Sequence, residues 1–222
     1  MVEAAETSGW VVRLWALDRV APTLAQHTVG VSAGAKFPLL NELVRDQELD
    51  RFDWVVVADD DVAFRSASPG EVLARAESAG LDLVQPAHTE LSHGGHEIVM
   101  RHALSVARRT TFVEIGPVFA IRQPWVSQVL PSAPEHRMGW GLELEWFDLA
   151  RRGARLGIVD TTPIRHLEPP GKMYASADEY TRLRDRLRAR GLGSLQDIQQ
   201  TVGTWRPWRP HPPWGRVHGA SR

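Results

Sequence analysis

The sequence predicts an α/β protein whose mostly parallel sheet is flanked by helices, and three observations predict it. Strand-like and helix-like segments alternate with short connections, the pattern of a sheet covered by helices on both sides. The run Trp54-Val55-Val56-Val57-Ala58 is apolar at every position, as a strand buried on both faces is. Helix boundaries carry caps: Ser68-Pro69-Gly70-Glu71 combines an N-cap serine, a first-turn proline and a capping-box glutamate.

Taken in order, Trp10–Trp15 and Thr28–Val31 are β-branched and aromatic and read as strands. Phe37, Leu40, Leu43 and Val44 recur at helical spacing, with Pro38 tolerated in the first turn. The strand Trp54–Ala58 ends abruptly in three acids. The helix opened by Ser68 closes at Gly80, and a strand from Leu81 to Val84 follows. A strand from Phe112 to Ile121, a helix from Gly141 to Arg152 with Gly153 as its cap, and a strand from Leu156 to Val159 continue the alternation. Ser176 and Glu179 form a second capping box. In the helix they open, Tyr180, Leu183 and Leu187 face inward and arginines 182, 184, 186, 188 and 190 mostly outward. From Gly203 on, four prolines, three tryptophans and four arginines without an acid predict neither helix nor strand; the tryptophans either pack back on the domain or, with the arginines, anchor a partner or an anionic surface. The expected organisation is one catalytic domain over residues 1–190 and a Trp/Pro/Arg-rich extension over 191–222.

With 222 residues, 43% of them hydrophobic and 24% charged, the chain has the composition of one ordinary folded domain. A net charge of -1 gives no field to hold a polyanion, so nucleic acid is not an expected partner. No stretch approaches the ~20 apolar residues of a membrane span, and the acidic start lacks a signal-peptide pattern, so a cytoplasmic protein without a transmembrane segment is expected. The absence of cysteine removes thiol chemistry and leaves His, Asp and Glu as metal ligands.

Asp59-Asp60-Asp61 directly follows the buried strand, where open α/β sheets bind ligands. Crowded carboxylates repel one another, and a divalent cation on Asp59 and Asp61 relieves that while holding a diphosphate; the alternative is a solvated acidic turn. In Met138-Gly139-Trp140-Gly141-Leu142-Glu143-Leu144-Glu145, glycines admit close approach and Trp140 offers an apolar platform. Glu143 and Glu145 lie two apart, so on a helix only one of them faces a site. His166, beyond strand Leu156–Val159, is a metal-ligand candidate or simply a packed histidine. His88, His93 and His96 offer ligands for zinc without a helix to preset them.

These residues resemble the GT-A glycosyltransferases, nucleotide-sugar-dependent enzymes of Rossmann-like fold: aspartates closing an apolar strand, a downstream Gly-Trp-Gly-x-Glu and a late strand leading to a histidine. More closely the chain resembles an uncharacterised plant and bacterial family labelled lysine-ketoglutarate-reductase trans-splicing-related. Val31-Ser32-Ala33 with Lys36, Asp53–Asp61, Leu83–Pro86, Val113-Glu114 with Pro117-Val118-Phe119, Trp140–Glu143 and Gly157–Asp160 with His166-Leu167 carry that likeness.

The resemblance implies a metal-dependent transfer of a sugar from a nucleoside diphosphate to a hydroxyl acceptor. Mn²⁺ or Mg²⁺ would sit on Asp61 and His166, with Asp59 toward the ribose or the metal. Asp60, Lys36, Trp140 and Gly141 would line the nucleotide-sugar site. Glu143 matches the first acid of the family's Glu-Asp pair, but Leu144 follows it. Glu143 or Glu145 is then the base, or the enzyme retains configuration and needs none. Only Trp10–Leu14 precedes the first helix region, so either the start codon is misplaced or the family's first strand is missing and the nucleotide pocket incomplete. Two alternatives are a non-catalytic nucleotide-sugar-binding module and a haloacid-dehalogenase-like phosphohydrolase. Against the latter, Ala63 stands where those enzymes resemble one another in Thr or Val.

Overall fold

The computed structural model describes residues 2–65, 68–169 and 177–215. Helix α1 (Val2–Thr7) precedes a two-stranded parallel sheet of β1 (Leu14–Ala16) and β2 (Thr28–Val31). The first strand is shorter than expected, starting at Leu14 rather than Trp10. Then come α2 (Lys36–Val44), β3 (Trp54–Ala58), β4 (Val62–Phe64), α3 (Pro69–Ala79) and β5 (Leu83–His88). They are followed by β6 (Ala107–Thr110), β7 (Val118–Arg122), α4 (Leu142–Arg151), β8 (Leu156–His166), α5 (Ala177–Ala189) and β9 (Thr201–Trp205). Ser68 and Glu71 cap α3 reciprocally, as the sequence predicts. The capping serine expected for α5, Ser176, lies outside the described residues.

The main sheet runs β3-β7-β5-β8-β6-β9, with β4 paired to the C-terminal part of β8. It is mixed, and here the expectation of a mostly parallel sheet is corrected: among the described residues β5 and β8 are its one parallel pair of strands. Strands β3, β5 and β8 do run in one direction, but the antiparallel β7 stands between β3 and β5. An apolar run reports cover on both faces and is silent about a neighbour's direction. In β3, Val55 and Val57 pack into one core and Trp54 and Val56 into the other.

Alternation across the strands builds two layers. Leu83, Phe119 and Ile121 meet α2 and α4 through Phe37, Leu40 and the fully buried Trp146. Val84 and Ala120 face the other way, onto Val72, Ala76 and Ala79 of α3. A third cluster seats Leu187 of α5 with Leu195 and Ile198 beside Leu144 of α4. Gly203 and Trp205 belong to β9, which corrects the expectation of no strand there; Trp205 is buried and the Trp214 indole donates to the Ala79 carbonyl at 2.7 Å. Tyr180, expected inside, is 59% exposed. No helix among the described residues is long and apolar enough to cross a membrane.

Candidate functional site

A cavity of about 860 Å³ opens where the carboxyl ends of β3 and β8 meet the loops that follow β5 and lead into β7 and α4. Lys36, Asp59, Asp60, Asp61, Trp140, Gly141, Glu143 and His166 all line it, although more than one hundred positions separate the first from the last. Glu145 does not.

Strand register explains the meeting of Asp61 with His166. Once β3 has ended, the chain turns through the aspartates into β4, whose Val62 pairs with His166. The Leu167 N–H donates to the Asp61 carbonyl at 2.9 Å, and the two side chains then come together, His166 Nε2 lying 3.0 Å from Asp61 Oδ2. On its other side, His166 Nδ1 is 2.8 Å from the His93 carbonyl. A carbonyl only accepts, so Nδ1 carries the proton, and in the neutral ring Nε2 presents its lone pair to the carboxylate. A proton or a cation must therefore stand with these two acceptors. Their spacing suits a hard divalent ion, since bonds of about 2.1 Å meeting at right angles put adjacent donors about 3.0 Å apart. Two protein donors leave the remaining positions to ligand and water. Among the described residues no group of three or more His, Asp and Glu is gathered to hold an ion by itself, His88, His93 and His96 included.

Asp59 is engaged differently. The Lys36 ammonium, at the start of α2, donates to Asp59 Oδ2 at 2.7 Å and to the Ile115 carbonyl at 3.1 Å. Gly116 lies against this pair, and a Cβ there would stand 2.8 Å from Lys36 Nζ and push the lysine tip aside. Asp60 is exposed at the rim.

Gly141 caps α4 with φ 94°, a left-handed conformation that favours glycine. Its N–H donates to Glu143 Oε2 at 2.9 Å, folding that side chain back over the helix start. Glu143 is 4% exposed, and burial pushes its carboxyl up to about 7 although the Gly141 N–H and the Arg186 guanidinium oppose this. Two residues on, Glu145 points elsewhere: its Oε1 meets Arg186 Nη2 at 2.9 Å and His136 Nε2 at 2.8 Å. Of the two glutamates, Glu143 is the one that lines the cavity. The Trp140 ring stands edge-on to Tyr180 at 4.5 Å between centroids, so the exposed Tyr180 is part of the cavity wall.

Sequence reasoning missed Glu114, which lines the same cavity. Burial pushes its carboxyl up to about 8, with the nearby Glu143 charge adding to the effect. The available signal was an acid set inside the otherwise apolar stretch Phe112–Phe119. His96 also lines the cavity, and behind Glu114 lies the fully buried His88 at the end of β5.

The chain matches no known protein-family model, and no curated protein is significantly similar to it.

Proposed function

We propose that this protein is a metal-dependent glycosyltransferase that moves a sugar from a nucleoside diphosphate to a hydroxyl acceptor. The observation that carries the reading is the convergence, in one cavity large enough for a nucleotide sugar, of a metal-compatible Asp61–His166 pair and a buried carboxyl group poised near neutrality. In this reading Asp61 and His166 hold Mn²⁺ or Mg²⁺, and Asp59, fixed by Lys36, faces the ribose or the ion. The ion supplies a Lewis acid for the charge that collects on the departing diphosphate. Trp140 gives the sugar or base an apolar face, and Gly141 lets it approach the backbone. Glu143 takes the acceptor's hydroxyl proton as the new oxygen–carbon bond forms and the bond to the diphosphate breaks. A base working near neutrality needs a carboxyl raised into that range, which burial supplies here.

The test is release of nucleoside diphosphate from UDP-, GDP- and CDP-sugars with and without Mn²⁺. The expected result is metal-dependent release from one donor, rising with pH through about 7, and reduced about 10²–10⁴-fold by Glu143→Gln with donor binding kept. Donor bound without turnover would instead identify a non-catalytic binding module, the reading that Leu144 in place of the family's second acid supports.

A further inference from the structure

We infer that Glu114 is a second ligand-facing carboxyl group of this cavity, standing there as the neutral acid and donating its proton to an oxygen of the donor's sugar. The inference rests on the transferase reading and adds the polar contact that would seat the sugar opposite Glu143.

Among the described residues no cation stands against Glu114; the Gly95 N–H and the Gln85 side chain hydrogen-bond its carboxyl and favour the ionised form, but burial outweighs them. From β5 it faces His88, whose Nε2 lies 3.7 Å from Glu114 Oε2, and from the following loop His96, whose Nε2 lies 4.0 Å from Oε1. From α4 it faces Glu143, another acid. Lys36 is turned to Asp59, and Arg186 of α5 to Glu145 and His136. Neither histidine serves as a counter-ion. His88 is fully buried at the end of β5, and its Nε2 stands beyond hydrogen-bond reach of the carboxyl. In His96, Nδ1 lies 2.6 Å from the Gln199 amide nitrogen, which donates; Nε2 therefore carries the proton of the neutral ring.

Separations of 3.7 and 4.0 Å are too long for hydrogen bonds, yet an oxygen placed to one side can bond to both groups. Gln85 Oε1 accepts the Glu114 backbone N–H at 2.6 Å, which fixes the backbone from which this carboxyl group reaches the cavity. A neutral acid at this point gives a hydrogen bond to a hydroxyl and does not repel the ionised Glu143 beside it. One proton shared between the two carboxyl groups lets Glu114 hold the sugar while Glu143 acts as base.

Calorimetry with UDP-, GDP- and CDP-sugars and the matching bare diphosphates, in Mn²⁺, tests this with two variants. Glu114→Gln keeps a neutral donor of the same shape and is expected to bind the sugar donor within about threefold of wild type, while Glu114→Ala loses about tenfold, the worth of one such hydrogen bond. Neither variant changes affinity for the bare diphosphate. In wild type the extra affinity for the sugar donor falls above pH about 8, and in Glu114→Gln it does not. Equal damage from Gln and Ala, or no effect of either, overturns the proposal. An infrared difference spectrum of ligand-free wild type against Glu114→Gln, taken near pH 6, is expected to show a protonated-carboxyl stretch lost in the variant. Its absence overturns the neutral acid by itself. Failure of wild type to bind any nucleotide overturns the transferase reading, and the sugar contact with it, through a separate result.

Discussion

Glu114 and Glu143 owe their chemistry to burial, and the same burial links them to stability. Each has a folded-state pKa raised from 4.5, to about 8 and about 7. Between the unfolded and folded values the folded protein binds more protons than the unfolded chain, so their contribution is full below pH about 4.5 and is lost as pH rises through 7 and 8. Urea midpoints of wild type should therefore decline more steeply from pH 5 to 8 than those of Glu114→Gln/Glu143→Gln; parallel declines would show that the two carboxyl groups are not raised. How far the sequence reveals such residues depends on where the information lies. Asp59–Asp61, Glu143 and His166 stand in local motifs whose place at strand ends and helix starts is readable. Glu114 is not so marked, because an acid in an apolar stretch is defined by what folds over it. Glu145 differs from Glu143 only in helical phase, and the left-handed Gly141 sets that phase.

At the scale of elements, caps and periodicity locate α2, α3 and α4 to within a residue or two, since each signal is contained in its own segment. Strands β6 and β9 escaped notice for a physical reason. Ala107-Arg108-Arg109-Thr110 is buried at three of its four positions yet reads as polar, because Arg108 is neutralised from 52 residues away. Its Nε and Nη2 donate to Asp160 at 2.9 Å each, and its other donor bonds reach the Ile98 and Met100 carbonyls at 2.6 and 2.8 Å. That network fastens the loop after β5, which carries His93 and His96, to the sheet. Removing one partner leaves a buried charge alone, so Arg108→Ala should cost about 3–5 kcal/mol in chemical denaturation. A cost below about 1 kcal/mol would mean that the pair is solvated in solution.

Across the whole molecule, one mixed sheet with helices on both faces delivers two strand ends and three loops to a single cavity. Alternation alone predicts the right layers and the wrong strand directions, because β5 and β7 are joined without an α-helix and an antiparallel strand enters between β3 and β5. The site survives that change, since β3, β5 and β8 still share one direction and bring Asp61 and His166 together. The most direct test of the transferase reading is calorimetry of UDP, GDP, CDP and their sugars with and without Mn²⁺, on wild type and on Asp61→Asn. Metal-dependent binding of one nucleotide, lost in the variant, is the predicted result. Absence of binding to any of them, or binding indifferent to both Mn²⁺ and Asp61, would contradict the reading.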